Sequence, residues 1–162
     1  MTIEILSNLL ARLGESLNMG PLQLNADGAL GLEIDHRLTL GMQFDSDRDR
    51  LLIYADIGPL PQGTEKESLM NRMLQANLFG RLTAGATLAL ASDIDPEEQP
   101  QRVVLWKAID GAALELSYLE QTLQNMISAV EDWQDALQEW NADTPANPEM
   151  TDFAFNMPGI RV

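Results

Sequence analysis

The sequence holds 162 residues, room for one domain of about 150, and its 45% hydrophobic content excludes a chain too polar to fold. Ten Lys+Arg against 25 Asp+Glu leave a net charge of −15, which disfavours nucleic acid and anionic membrane surfaces as partners. With no Cys and a single His, disulfides, thiol catalysis, cysteine-bound metals and two-histidine relays are excluded.

Residues 3–17 predict a helix. Leu6, Leu9, Leu10, Leu13 and Leu17 recur at steps of three and four, Thr2 is placed to cap it, and Gly20-Pro21 stops it. Glu4 and the polar Ser7, Asn8 and Arg12 interrupt this segment, so it does not read as a signal peptide. No apolar run approaches the roughly 18 residues of a membrane span. The expectation is a cytoplasmic protein with no membrane insertion.

The period then becomes two. Leu22 and Leu24 precede an Asp27-Gly28 turn. Leu30, Leu32 and Ile34 alternate with polar or small residues, as do Leu38, Leu40, Met42 and Phe44 after His36-Arg37. The charged run from Asp45 to Arg50 makes another turn, and Leu51 to Ile57 is the next strand, with Leu52 and Tyr54 on its second face. Such short connections make these strands antiparallel neighbours.

A second helix follows, with Leu69, Met70, Met73, Leu74, Asn77 and Leu78 on one face and Thr64/Glu67 fitting a capping box. Thr87–Ala91 and Val103–Ile109 read as strands joined by the acidic loop 93–100. The final helix carries Leu119, Leu123, Met126, Val130, Trp133, Leu137 and Trp140 at heptad-like steps, with Ser117/Glu120 as a second capping box. Residues 108–160 contain ten acidic residues and no Lys or Arg, so the outer face of that helix is negative. The predicted fold is α+β: a small twisted antiparallel sheet with three helices in the order α-β-β-β-(β)-α-β-β-α. Residues 1–140 form one domain in this reading, and residues 141–162 a flexible tail in which Phe153, Phe155 and Met157 alternate.

Motifs for chemistry are weak. Asp45, Asp47 and Asp49 imitate the start of a calcium loop, but Arg50 and Asp56 stand where its Gly and Glu belong, so the segment reads as a solvated turn. His36 reads as an exposed turn histidine, because the adjacent Asp35 points to the opposite strand face. Gly28-Ala-Leu-Gly31 lacks the rest of a dinucleotide fingerprint, and residues 58–63 lack the Lys of a phosphate loop. The expectation is no enzyme, no catalytic residue, no metal and no cofactor. What exceeds an ordinary core is apolar surface, which suits a second copy or a partner lying on the sheet.

The chain resembles the class I type III secretion chaperones, the CesT/SycE-like family. The similarity runs from about Leu9 to Trp140: Leu13-Gly14, the Asp27-Gly28 turn, Leu51–Gly58 leading to Leu60-Pro61, Leu74-Gln-Ala-Asn77-Leu-Phe, Gly85–Leu90, Val103-Val-Leu105 and Glu131-Asp-Trp133. The resemblance implies a homodimeric, ATP-independent chaperone of the bacterial cytoplasm. It would bind the N-terminal segment of a secreted effector in extended form and keep it secretion-competent. A regulatory adaptor sequestering a secretion regulator is the alternative on the same scaffold. Leu69, Met73, Leu74 and Leu78 would build the dimer interface, and Leu30, Leu32, Ile34, Leu40, Met42 and Phe44 the effector groove. The acidic surface would draw basic segments of the client or of the export machinery, including the export ATPase.

Overall fold

A computed structural model describes residues 2–91 and 101–141; the loop 93–100 and the tail beyond Asn141 read from the sequence lie outside the described residues. Helix α1 spans Ile3–Ser16 and buries Leu6, Leu9, Leu10 and Leu13 of the expected stripe, whereas Leu17 falls at the cap past its end and is exposed. The Thr2 hydroxyl accepts from the Ile5 N–H at 3.4 Å and caps its first turn. At the far end the chain folds back against the helix, and a Cβ at Gly14 would collide with the carbonyl oxygen of Gly20. Glycine is required there by close backbone approach.

Three strands follow: β1 (Ala29–Ile34), β2 (Leu38–Asp45) and β3 (Arg50–Pro59). The Asn25–Ala29 turn precedes them, with Gly28 at φ 72°. The alternation beginning at Leu22 and Leu24, which left a fourth strand optional, forms no strand there; both side chains pack half-buried against the core. Exposed Pro21 offers no N–H, and the Asn25 side chain occupies the backbone that would have paired beyond it.

Helix α2 (Thr64–Asn77) comes next, then a short 3-10 turn at Leu78–Gly80, β4 (Thr87–Leu90), β5 (Arg102–Asp110) and α3 (Leu116–Asn141). Neither capping box forms. Gly63 is the N-cap of α2 and gives no side-chain hydrogen bond, although Glu65 and Glu67 still sit favourably in its first turn. Helix α3 starts one residue before Ser117, and Glu120 accepts a hydrogen bond from the Ser16 hydroxyl, which ties α1 to α3.

The five strands are all antiparallel in the order β1-β2-β3-β5-β4. One face, built from alternate residues such as Leu40, Met42, Ile53, Ala55 and Leu105, packs under the helices in a continuous core with Leu6, Leu10, Leu13, Leu119 and Met126. The heptad-like seam of α3 supplies Leu119, Leu123, Met126, Val130, Trp133 and Leu137 to it. Anchoring is polar at two points: the Trp133 indole donates to the Leu82 carbonyl at 2.9 Å, and Gln134 to the Asp56 carbonyl at 3.2 Å.

Candidate functional site

The two sheet edges are finished differently. At the outer edge of β4, Asn77 of α2 acts as a substitute strand: its amide donates to the Leu88 carbonyl at 3.0 Å and accepts from the Leu88 N–H at 2.8 Å. That edge is closed at its centre.

Edge strand β1 has only a partial plug. The Phe44 N–H donates to the Gly28 carbonyl, so residues 28 and 44 form a hydrogen-bonded pair. Alternation along the register makes 30/42, 32/40 and 34/38 hydrogen-bonded pairs as well. The N–H and C=O groups of Ala29, Gly31 and Glu33 therefore point away from β2. Asn25 satisfies Ala29 through its side-chain oxygen at 2.9 Å and its own N–H at 2.7 Å. Gly31 and Glu33 stay exposed, and their outward backbone groups are ready to pair with an added strand.

The groove expected from the sequence is accordingly split. Leu32, Leu40 and Met42 lie in this chain's own core, Leu32 at 2% exposure and the other two fully buried. The helices lie on the same face as these side chains, which pack into the core beneath them. Leu30, Ile34 and Phe44 are half-buried at the rim of that core, next to the open edge.

The residues expected at a dimer contact divide in the same way. Leu69 and Met73 are buried beneath α2, whereas Leu74 is 70% and Leu78 63% exposed. Met70, Phe79 and Leu82 extend them into an apolar ridge, with Phe79 85% exposed. Phe79 also has φ 60°, a left-handed backbone that costs a bulky side chain energy. Phe79 and Leu82 were not expected from the sequence. They follow the helix, and helical periodicity carries no information on which way a turn aims its side chains.

The sheet face away from the helices is a third surface. Leu52 and Tyr54 lie there as expected, joined by Val104 and Trp106 from β5. The Tyr54 ring lies over Gly41, where a Cβ would collide with it, and burial pushes the phenol pKa up. Arg102 clamps Asp56 at one end of this face, its Nε 2.9 and 2.8 Å from the two carboxylate oxygens.

Ionic groups elsewhere are structural. Asp45, 1% exposed, accepts from Arg50 Nε at 2.8 Å and from the Arg48 N–H at 3.2 Å. Burial opposes its ionisation, but these hydrogen bonds outweigh it and hold the carboxyl below the usual aspartate range. His36 lies in the β1–β2 turn against Glu33, both well exposed. Among the described residues no cluster of three or more His, Asp or Glu side chains could hold a metal, and no helix is long and apolar enough to cross a membrane.

The sequence pattern of the Tir chaperone protein (CesT) family matches residues 8–134. The chain belongs to that family. A Chlamydia pneumoniae protein, CPj0713/CpB0740, is 36% identical over 72 residues, which are 44% of this chain and 55% of that relative's length. The chain thus spans just over half the length of this curated relative. Among solved structures, the ExsC–ExsE complex aligns with a TM-score of 0.67 at 24% identity, covering 83% of this chain and 95% of the matched one. The HopA1–SchA chaperone–effector complex aligns at 0.65 and 22% identity, covering 82% and 95%. YbjN of E. coli, described as a putative transcription regulator, shares the fold at TM-score 0.55 and 12% identity, covering 81% and 92%. Fold alone therefore does not fix a role on this scaffold.

Proposed function

We propose that this family member is an ATP-independent chaperone of a bacterial type III secretion system, working as a homodimer in the cytoplasm on the N-terminal segment of a secreted effector. The observation that carries the proposal is the open stretch of β1 at Gly31 and Glu33, bordered by the half-buried Leu30, Ile34 and Phe44. An extended segment pairing there gains main-chain hydrogen bonds from the edge and apolar contacts from alternate side chains, without adopting its own fold. Ordering an extended chain is costly, so tight binding needs a large buried area. A second copy lengthens the available surface. The ridge of Met70, Leu74, Leu78, Phe79 and Leu82 is the surface on which that copy would sit.

A net charge of −15 keeps such an apolar surface soluble and attracts basic segments of a client or of the export ATPase. In this account residues 1–140 are the working domain and residues 141–162 its tail. The HopA1–SchA complex supports the reading, since there a chain of this fold is bound to an effector.

Co-expression with the protein encoded next to it, followed by size-exclusion chromatography with mass detection, is the test. The expected product is a complex of two copies with one client, its N-terminal segment protected from protease. A strict monomer that never retains the neighbour would overturn the proposal. Recovery of a transcriptional regulator with no effector would move it to the regulatory adaptor.

A further inference from the structure

A groove of about 380 Å³ runs along α3 where α2 and residues 81–85 lie against it. Its floor is apolar, with Trp133 and Ala129 both buried, and its rim is exposed. The lining holds two arginines, Arg72 and Arg81, against one aspartate, Asp132, which reverses the balance of a chain with net charge −15. The Arg72 guanidinium lies 6.0 Å from the centre of the Trp133 ring and 5.6 Å from that of Trp140. Such stacking engages the flat faces of the group and leaves its N–H edges free to donate. Among the described residues neither Arg72 nor Arg81 forms an ion pair or a side-chain hydrogen bond, not even with Asp132.

We infer that this groove docks a short, extended, acidic segment of another protein, whose carboxylates meet Arg72 and Arg81 while an apolar side chain sits over Trp133. The length follows from the groove, which tracks α3 from Asn125 to Ala136, about 17 Å of helix. That is the span of about five extended residues. The charge follows from two guanidinium groups that the chain's own carboxylates leave unneutralised, each able to take a carboxylate in a two-pronged, charge-assisted contact. Ser128 and Asn125 on the same rim offer further hydrogen bonds. The apolar part follows from Leu82, which is 63% exposed beside the floor although its carbonyl is fixed by the Trp133 indole. An exposed ion pair contributes little by itself, so the carboxylates select the segment and apolar contact holds it. A second copy is a poorer occupant, because groove set against groove would bring four guanidinium groups together. Residues 81–85 lead into β4, at the opposite edge of the sheet from β1. The inference therefore goes beyond client binding at β1, and the two contacts do not compete.

The test uses the full chain without a client, at fixed ionic strength. Calorimetry and tryptophan fluorescence follow titration with the capped peptide acetyl-Asp-Leu-Phe-Leu-Asp-amide and with counterparts carrying Asn or Lys in place of both Asp. The acidic peptide should bind roughly tenfold tighter than the Asn peptide, with the Lys peptide weakest. That order opposes the one a net charge of −15 imposes on its own. Arg81→Gln and Arg72→Gln should each weaken the acidic peptide several-fold and leave the Asn peptide as it was. Equal or tighter binding of the Lys peptide would overturn the inference, as would no binding of the acidic peptide at millimolar concentration or binding indifferent to both substitutions. Affinity that weakens as the protein is concentrated would overturn it too, by making a second copy the occupant.

Discussion

The two edges of the sheet face the same physical problem and solve it unequally. Unpaired strand backbone invites another strand. At β4 one side chain, Asn77, answers both the donor and the acceptor of Leu88. At β1 the corresponding plug, Asn25, reaches only Ala29, and the next two outward positions stay open. Sealing costs a single asparagine, so leaving one edge available has a direct functional reading in a protein whose family handles other chains.

The strongest way to break this comparison is at Leu32 and Leu30, neighbours on one face of β1. Leu32→Ala should lower unfolding stability by about 2–5 kcal/mol, as for any buried leucine, while Leu30→Ala should cost under about 2 kcal/mol and act on client affinity instead. Denaturant titration and a binding isotherm separate the two; equal stability losses would place both in the core. Next in size is Asn77→Ala, which leaves both Leu88 backbone groups without partners. It should cost about 1–3 kcal/mol and speed amide exchange at Leu88, with aggregation through β4 as the visible consequence.

Glu33→Pro sharpens the other side. Proline on an edge strand with its missing N–H outward is tolerated, so stability should barely change. Client affinity should fall roughly tenfold, about 1.4 kcal/mol. Its exposed contact with His36 is too weak to confuse the result.

The smallest effect lies at the far turn. The folded-state pKa of Asp45 is depressed, so its stabilisation is full above the ordinary aspartate pKa of about 4 and fades as pH falls below it. Asp45→Asn should flatten that acid limb in urea midpoints measured against pH.

Much of the scaffold was readable because period and burial coincide. The leucines of α1 and the seam of α3 each mark a core face directly. The order of strands was not readable, since β5 inserting between β3 and β4 depends on packing across the sheet. The site was less visible for a related reason. Alternation shows which side chains share a face but not whether helices already cover it, which is why Leu40 and Met42 were expected at a groove and lie in the core. Asn77 did leave a trace: an amide in the apolar stripe of α2 marks a polar group with a hydrogen-bonding task. Thr64 and Ser117 failed as caps because the helices begin one and two residues, respectively, before the positions their pattern requires.

Residue-resolved amide exchange on the client-bound protein tests the central claim most directly. Strand addition predicts that the Gly31 and Glu33 amides slow sharply on binding, while that of Leu88, already held by Asn77, stays as it was. A bound client that leaves Gly31 and Glu33 exchanging as in the free protein would contradict the account.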